Sequence, residues 1–241
     1  MGDNYFNFSL TTFNRSGRLL QIEYALNAVR NGKLSIGICA KDGVVIVTEK
    51  KMPSVLFDAK DVTKIEPITT SCGMVFAGLM ADFRVLVRRS RKRSQTYKLT
   101  YGENQPISQL VKETAQVVQE YTQSGGVRPF GVSVLAAGYD EEGPHLYQID
   151  PSGVYIAWKA TAIGKGDQNA KSDLERRATA GISFDDMTLD DAIHHALQTL
   201  RTGMEGEMTK TNIQVGVVDG TTKAFRILSE EEVQDFLEEA R

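Results

Sequence analysis

From Arg18 to Arg30 the apolar residues Leu19, Ile22, Leu26 and Val29 recur at spacings of three and four. That is one stripe along a helix, closed by Asn31-Gly32 as a C-terminal stop. The period then changes. Leu34, Ile36, Ile38 and Ala40 alternate with Ser35, Gly37 and Cys39, which predicts a strand. Lys41-Asp42-Gly43 has hairpin-turn composition, and the largely β-branched run Val44 to Thr48 is the returning strand. Two short strands are expected around Val62–Glu66 and Cys72–Ala77. Helical spacing resumes from about Gly78 to Tyr101, with Leu79, Phe83, Leu86 and Val87 on one side. Pro106 suits the first turn of a further helix to about Gln123, which offers Leu110, Ala115, Val117, Val118 and Tyr121 to the core and stops at Ser124-Gly125-Gly126.

The middle of the chain returns to strands. Gly131–Gly138 and Pro144–Asp150 flank the turn Tyr139–Gly143, and Asp150-Pro-Ser-Gly153 leads to a third strand, Val154–Ala160. A helix follows from about Asp167 to Ala180, and Thr188-Leu-Asp-Asp191 opens another with a capping-box pattern. Strands near Asn212–Val218 and Ala224–Ile227 precede a last helix started by the capping box Ser229-Glu-Glu-Glu232. Hairpin strands thus alternate with paired helices, rather than forming strand–helix–strand units. The pattern predicts an α+β fold, a four-layer α–β–β–α sandwich of two antiparallel sheets flanked by helices, with an extra helix at the N-terminus. No linker or repeat divides the sequence, so residues 1–241 read as a single domain: a tail and turn over 1–17, a helix over 18–31, and the sandwich over 33–241.

Composition narrows the function. A chain of 241 residues with 41% apolar and 24% charged residues can bury a sizeable core. Its formal charge of −3 gives no electrostatic case for nucleic acid. No apolar run approaches the roughly 20 residues that span a bilayer, and Met-Gly-Asp-Asn-Tyr-Phe lacks the marks of a secretory signal, so neither membrane nor export is expected. The sequons at Asn7 and Asn14 then carry no meaning, and Phe6 stands where a myristoylation motif wants Ser or Thr. Two cysteines, Cys39 and Cys72, are too few for a disulfide framework or a zinc site and read as small buried thiols.

Three patterns invite a cofactor and fail on spacing. Gly164-Lys-Gly166 lacks the third glycine of a dinucleotide loop. His194 and His195 point about 100° apart on a helix and cannot share one metal. Asp185, Asp186, Asp190 and Asp191 lie where a helix starts, so capping explains them better than calcium. No metal and no cofactor is expected. The run Arg88-Arg-Ser-Arg-Lys-Arg93 admits two readings, a nuclear-import or nucleic-acid patch and a basic helix face turned to solvent or to an interface.

The segment Thr11-Thr-Phe-Asn-Arg-Ser-Gly-Arg-Leu-Leu-Gln-Ile-Glu-Tyr-Ala-Leu-Asn-Ala-Val29 resembles the N-terminal signature of proteasome alpha-type subunits. Tyr121-Thr-Gln-Ser-Gly-Gly-Val-Arg-Pro-Phe-Gly-Val-Ser133, Asp150-Pro-Ser-Gly153 and Trp158-Lys-Ala-Thr-Ala-Ile-Gly164 are similar to further blocks of that family, so the likeness covers nearly the whole chain. Tyr5–Thr12, Thr48–Lys51 and Lys64–Thr69 look most like its second alpha type. The resemblance implies the N-terminal nucleophile hydrolase fold and a non-catalytic place in the outer ring of the 20S core particle. Other alpha subunits in a ring of seven, beta subunits and docking activators would be its partners. It also implies a part in ATP- and ubiquitin-dependent protein degradation, in cytoplasm and nucleus.

In catalytic relatives of the family a processed threonine offers its own amine as base. Aligned on Gly43-Val-Val, Lys33 occupies that threonine's place, while Lys64 and Glu49 match the supporting lysine and carboxylate. Ser35 is a nearby hydroxyl without a free amine, so the alternative of a beta-type or other N-terminal nucleophile peptidase lacks its nucleophile. The resemblance assigns Lys64, Gly32, Gly78 and Leu79 to an activator pocket between neighbouring alpha subunits, where an ammonium would receive a terminal carboxylate. It assigns the gate to Phe6, Asn7, Arg15 and Tyr24, with Tyr5 as a substitute for the family tyrosine at Phe6. Arg15 stands in place of a proline and gives up that residue's fixed φ.

Overall fold

The computed structural model describes residues 9–50, 54, 56, 62–204 and 206–239. Within these residues six helices and ten strands run, in chain order, α1 Leu20–Arg30, β1 Ser35–Ala40, β2 Gly43–Glu49, β3 Ile65–Thr69, β4 Cys72–Gly78, α2 Met80–Tyr101, α3 Ile107–Gln123, β5 Val132–Asp140, β6 Gly143–Ile149, β7 Tyr155–Ala157, β8 Ala160–Ile163, α4 Asp167–Thr179, α5 Leu189–Gly203, β9 Ile213–Asp219, β10 Ala224–Ile227 and α6 Glu230–Glu239. The strands form two antiparallel sheets, ordered β10-β9-β2-β1-β8 and β3-β4-β5-β6-β7.

The alternation of side chains along the strands builds the layers. In β2, Val45 and Val47 face α4, α5 and α6, while Val44 and Ile46 face the other sheet. In β4, Met74 and Phe76 pack under α2 and α3, and Val75 and Ala77 point between the sheets. Both faces of each sheet are therefore covered, which explains why β2 is buried at every position instead of alternating with solvent. Four layers result, as the pattern of hairpins and paired helices predicts. Between the sheets the ring of Phe225 rests on Gly73 and Gly216, where any Cβ would overlap it.

Two strand expectations are corrected. The strand expected around Val62–Glu66 lies over Ile65–Thr69. Here the main-chain N–H groups of Lys64 and Ile65 donate to the Gln214 side chain of β9, at 2.9 and 3.2 Å. Pro67 is tolerated because β3 is an edge strand. The strand expected over Val154–Ala160 is two strands in different sheets. Tyr155–Ala157 pairs with β6, and Ala160–Ile163 pairs with β1. The chain changes sheet across Trp158 and Lys159, whose main chain bonds Leu146 on one side and Cys39 on the other.

Candidate functional site

The residues around the start of β1 meet the end of β4 and the C-terminus of α1. Val29 is the buried foot of that helix and joins the core between the sheets. Gly32 then passes so close to β4 that a Cβ there would lie 2.2 Å from the Gly78 nitrogen. Gly78 has φ +117°, a conformation that side chains resist, and a Cβ on it would lie 2.2 Å from the Gly131 oxygen. Leu79 donates its N–H to that oxygen at 3.0 Å and leaves its side chain 45% exposed. Glycine is thus demanded at 32 and 78 by close main-chain approach.

Lys64 reaches the same end from β3, with its ammonium turned inward. Nζ donates to Thr48 Oγ1 at 2.7 Å and to the Lys33 carbonyl at 3.4 Å, and it lies 3.5 Å from Ser35 Oγ. The Phe76 ring centroid is 5.3 Å away. Thr48 donates in turn to the Leu34 carbonyl, and Ser35 to the Phe76 carbonyl, both at 3.1 Å. Nearer the surface, Lys33 Nζ pairs with Glu49 at 2.7 Å. Burial lowers the Lys64 pKa from 10.5 to about 7; the Glu49 carboxylate opposes that shift and the Lys33 charge adds to it.

A lysine this close to two hydroxyls has the composition of a nucleophile and its base. Ser35 and Thr48 have no exposed surface, Lys64 has 6%, and Lys33 is joined through Gly32 to the preceding helix. The cluster ties β1, β2 and the entry to β3 together, and both of its hydroxyls are buried.

Of the pocket residues expected from sequence, Gly32, Gly78 and Leu79 are in mutual contact or adjacent, and Lys64 sits behind them, held by Lys33 and Thr48. Of the gate residues, Tyr5, Phe6 and Asn7 lie outside the described residues. Tyr24 stands half-exposed on α1, and Arg15 is exposed in a turn. That turn needs no proline. Asn14 Oδ1 accepts the N–H groups of Ser16 and Arg18 at 3.0 and 2.9 Å, while Gly17 takes φ +74°. The Asn-x-Ser-Gly spacing carries that turn signal in the sequence.

One participant escaped sequence reasoning. Asp82, in the first turn of α2, receives two hydrogen bonds from Arg128, at 2.6 and 2.7 Å, and one from the Gly131 N–H at 2.9 Å. Burial raises the Asp82 pKa, but these bonds and the Arg128 charge outweigh it and hold the carboxyl below its usual range. The clamp fixes the strand entry beside Gly78. Its residues lie 46 apart in sequence, and no local pattern joins them.

The remaining sequence candidates also have positions. Arg89 bonds Tyr121 Oη, Arg91 holds Glu66 and the Pro67 carbonyl, and Arg93 bonds the Glu113 carbonyl, so three of the five basic side chains in the run are tied into the fold. His194 pairs with Glu239 and His195 with Arg177. Thr188 Oγ1 caps α5 through the Asp191 N–H. Among the described residues no group of acidic, histidine or cysteine side chains could hold a metal ion, and no helix is long and apolar enough to cross a membrane.

Large apolar side chains stand exposed at several places: Phe13, Tyr24 and Leu79 near α1, Leu99 and Tyr101 at the end of α2, and Val154, Ile156 and Trp158 around β7. The family model for the N-terminal signature of A-type proteasome subunits matches residues 6–28, and the general proteasome subunit model matches residues 29–218. The alpha type-2 proteasome subunit of Oryza sativa subsp. indica is 56% identical over 239 residues, 99% of each chain. The alpha type-2-B proteasome subunit of Arabidopsis thaliana shares the same identity and coverage, and the alpha type-2 proteasome subunit of Drosophila melanogaster is 50% identical over 237 residues, 98% of each chain. With family matches running unbroken from residue 6 to residue 218, and relatives this similar along their full length, the chain belongs to the proteasome subunit family, in its alpha-type branch.

Proposed function

We propose that the chain is a non-catalytic structural and gating subunit of the outer alpha ring of the 20S proteasome. It assembles with other alpha subunits in a ring of seven, rests on beta subunits, and receives activators at the ring surface. The observation that carries this reading is the continuous passage from α1 through Gly32 and Lys33 into β1, at the place where catalytic relatives need a free N-terminal threonine. The burial of Ser35 and Thr48 supports the same conclusion and weighs against a peptidase using Ser35 and Lys64. Apolar surface beside α1, α2 and β7 supports extensive contact with other chains. Nucleic acid and membrane are not among the proposed partners. Cytoplasm and nucleus are the proposed locations, and the internal bonds of Arg89, Arg91 and Arg93 favour a structural basic face over an import signal.

Activator docking is proposed at Gly32, Gly78, Leu79 and Lys64. The Lys64 ammonium is engaged with Thr48 and the Lys33 carbonyl, so capture of a terminal carboxylate requires it to turn outward. Gating is proposed for the segment containing Tyr5, Phe6 and Asn7, followed by the Arg15 turn and Tyr24.

Two measurements on the assembled particle test the reading. A threonine-directed electrophile should label other subunits and leave this chain unlabelled; a covalent adduct on this chain would overturn the non-catalytic assignment. Deleting residues 2–9 should raise basal peptide hydrolysis. Unchanged hydrolysis would remove the plug from the account.

A further inference from the structure

At the end of the sandwich away from α1, four connections surround a cavity of about 670 Å³. They are the β3–β4 turn at Thr70 and Ser71, the α2–α3 connection at 103–106, the β5–β6 turn at 139–142, and the β9–β10 turn at 222–224. The β3–β4 turn is bound through its main chain to the β5–β6 and β9–β10 segments, and through Thr70 Oγ1 to the Asn104 side chain. Tyr139 N–H donates to the Ser71 carbonyl at 3.1 Å, and Phe225 N–H to the Thr70 carbonyl at 2.8 Å. Asp140 is held by the Glu142 N–H and by His145, at 3.0 and 3.1 Å. The cavity is therefore framed before any ligand arrives.

Gln105 lines it and is only 4% exposed, yet neither Oε1 nor Nε2 has a hydrogen-bond partner among the described residues. Buried amides are normally paired. The complement of a primary amide is a group presenting one acceptor beside one donor, which is what a peptide main chain offers. The adjacent start of α3 has Pro106 at its cap position and no side-chain acceptor, leaving leading N–H groups for a carbonyl. The cavity is also lined by Glu103, Asp140, Glu141 and Glu142, opposed by the cation of Lys223, which lies over the Tyr139 ring. The site favours a peptide carrying positive charge.

We propose that this cavity docks an extended, lysine-bearing segment of a neighbouring proteasome subunit, its main chain paired with the Gln105 amide once that buried side chain turns into the cavity, and its ammonium set among Glu103, Asp140, Glu141 and Glu142. The proposal rests on the ring-subunit reading, so the test begins by establishing that the tagged chain resides in a large particle. Absence of the chain from such a particle contradicts that reading itself. Within the particle, a zero-length carbodiimide joins carboxylates to amines in ion-pair contact, and mass spectrometry locates the bond.

The expected product links Glu103, Glu141 or Glu142 to a lysine of another subunit, and its yield falls about fivefold in a Gln105→Leu particle, the loss of roughly one net hydrogen bond. In the full-length chain alone, Gln105→Leu should leave the unfolding midpoint unchanged or higher, because it removes an unpaired buried amide. Two results overturn the docking site while leaving ring membership intact. One is free coupling of these carboxylates to added glycinamide, with no lysine of another chain joined. The other is a lowered midpoint for Gln105→Leu alone, which identifies water as the partner of the amide.

Discussion

Lys64 is buried, with 6% of its surface exposed, and its charge must be accommodated there. An amine whose pKa drops on folding binds fewer protons in the native than in the unfolded chain between about pH 7 and its ordinary 10.5. Its contribution to stability therefore rises with pH across that window and is flat below it. Unfolding measured inside the window should show a gain of at most about 1.4 kcal/mol per pH unit from this one proton. Lys64→Met should lose that slope; an identical slope in both proteins would mean that the amine stays charged when buried. Gly32→Ala tests the neighbouring approach. Its methyl would sit 2.2 Å from the Gly78 nitrogen, so α1 and β4 must separate at a cost of about 1–3 kcal/mol. A variant with unchanged stability would show that the two segments part freely. The resemblance names Lys64, Gly32 and Gly78 as site residues, but the ammonium facing Thr48 leaves no local mark, because its partners lie on other strands and its main chain is held by Gln214, 150 residues later.

At the scale of elements, legibility followed how local each signal was. Ser229 and Glu232 form the reciprocal cap read from their spacing, with Glu232 N–H to Ser229 Oγ at 3.2 Å and Ser229 N–H to Glu232 Oε2 at 2.8 Å. Ser229→Ala should cost about 1 kcal/mol and should raise amide exchange in α6 ahead of the rest of the chain. Uniform change across the chain would place the loss elsewhere. The helix α1 was legible as an apolar stripe, but only Val29 of that stripe is buried; Leu19, Ile22 and Leu26 stay half-covered, and Ala25 is the other buried residue. Periodicity reports an apolar face without saying which chain covers it. The division of 154–160 into β7 and β8 left no local mark, since extended residues look alike whichever sheet they join. What separates the two strands is pairing with β6 and with β1, and both contacts are distant in sequence.

Across the whole molecule, two sheets with both faces covered form the frame, and the chemistry resembling a hydrolase centre is enclosed within it. Serine, threonine, lysine and glutamate remain together near the start of β1. Their contacts join β1, β2 and the residue that precedes β3. The exposed apolar groups lie at separate regions beside α1, α2 and β7, which suits a subunit contacting several neighbours. Such a chain gains much of its stability from assembly. The most direct test is to isolate the chain from its own cells under a mild affinity tag and determine the native mass and subunit list of what accompanies it. The account predicts a very large particle containing six other alpha-type chains and beta-type chains that begin with threonine. A 26.6 kDa monomer or small homo-oligomer with peptidase activity of its own would contradict it.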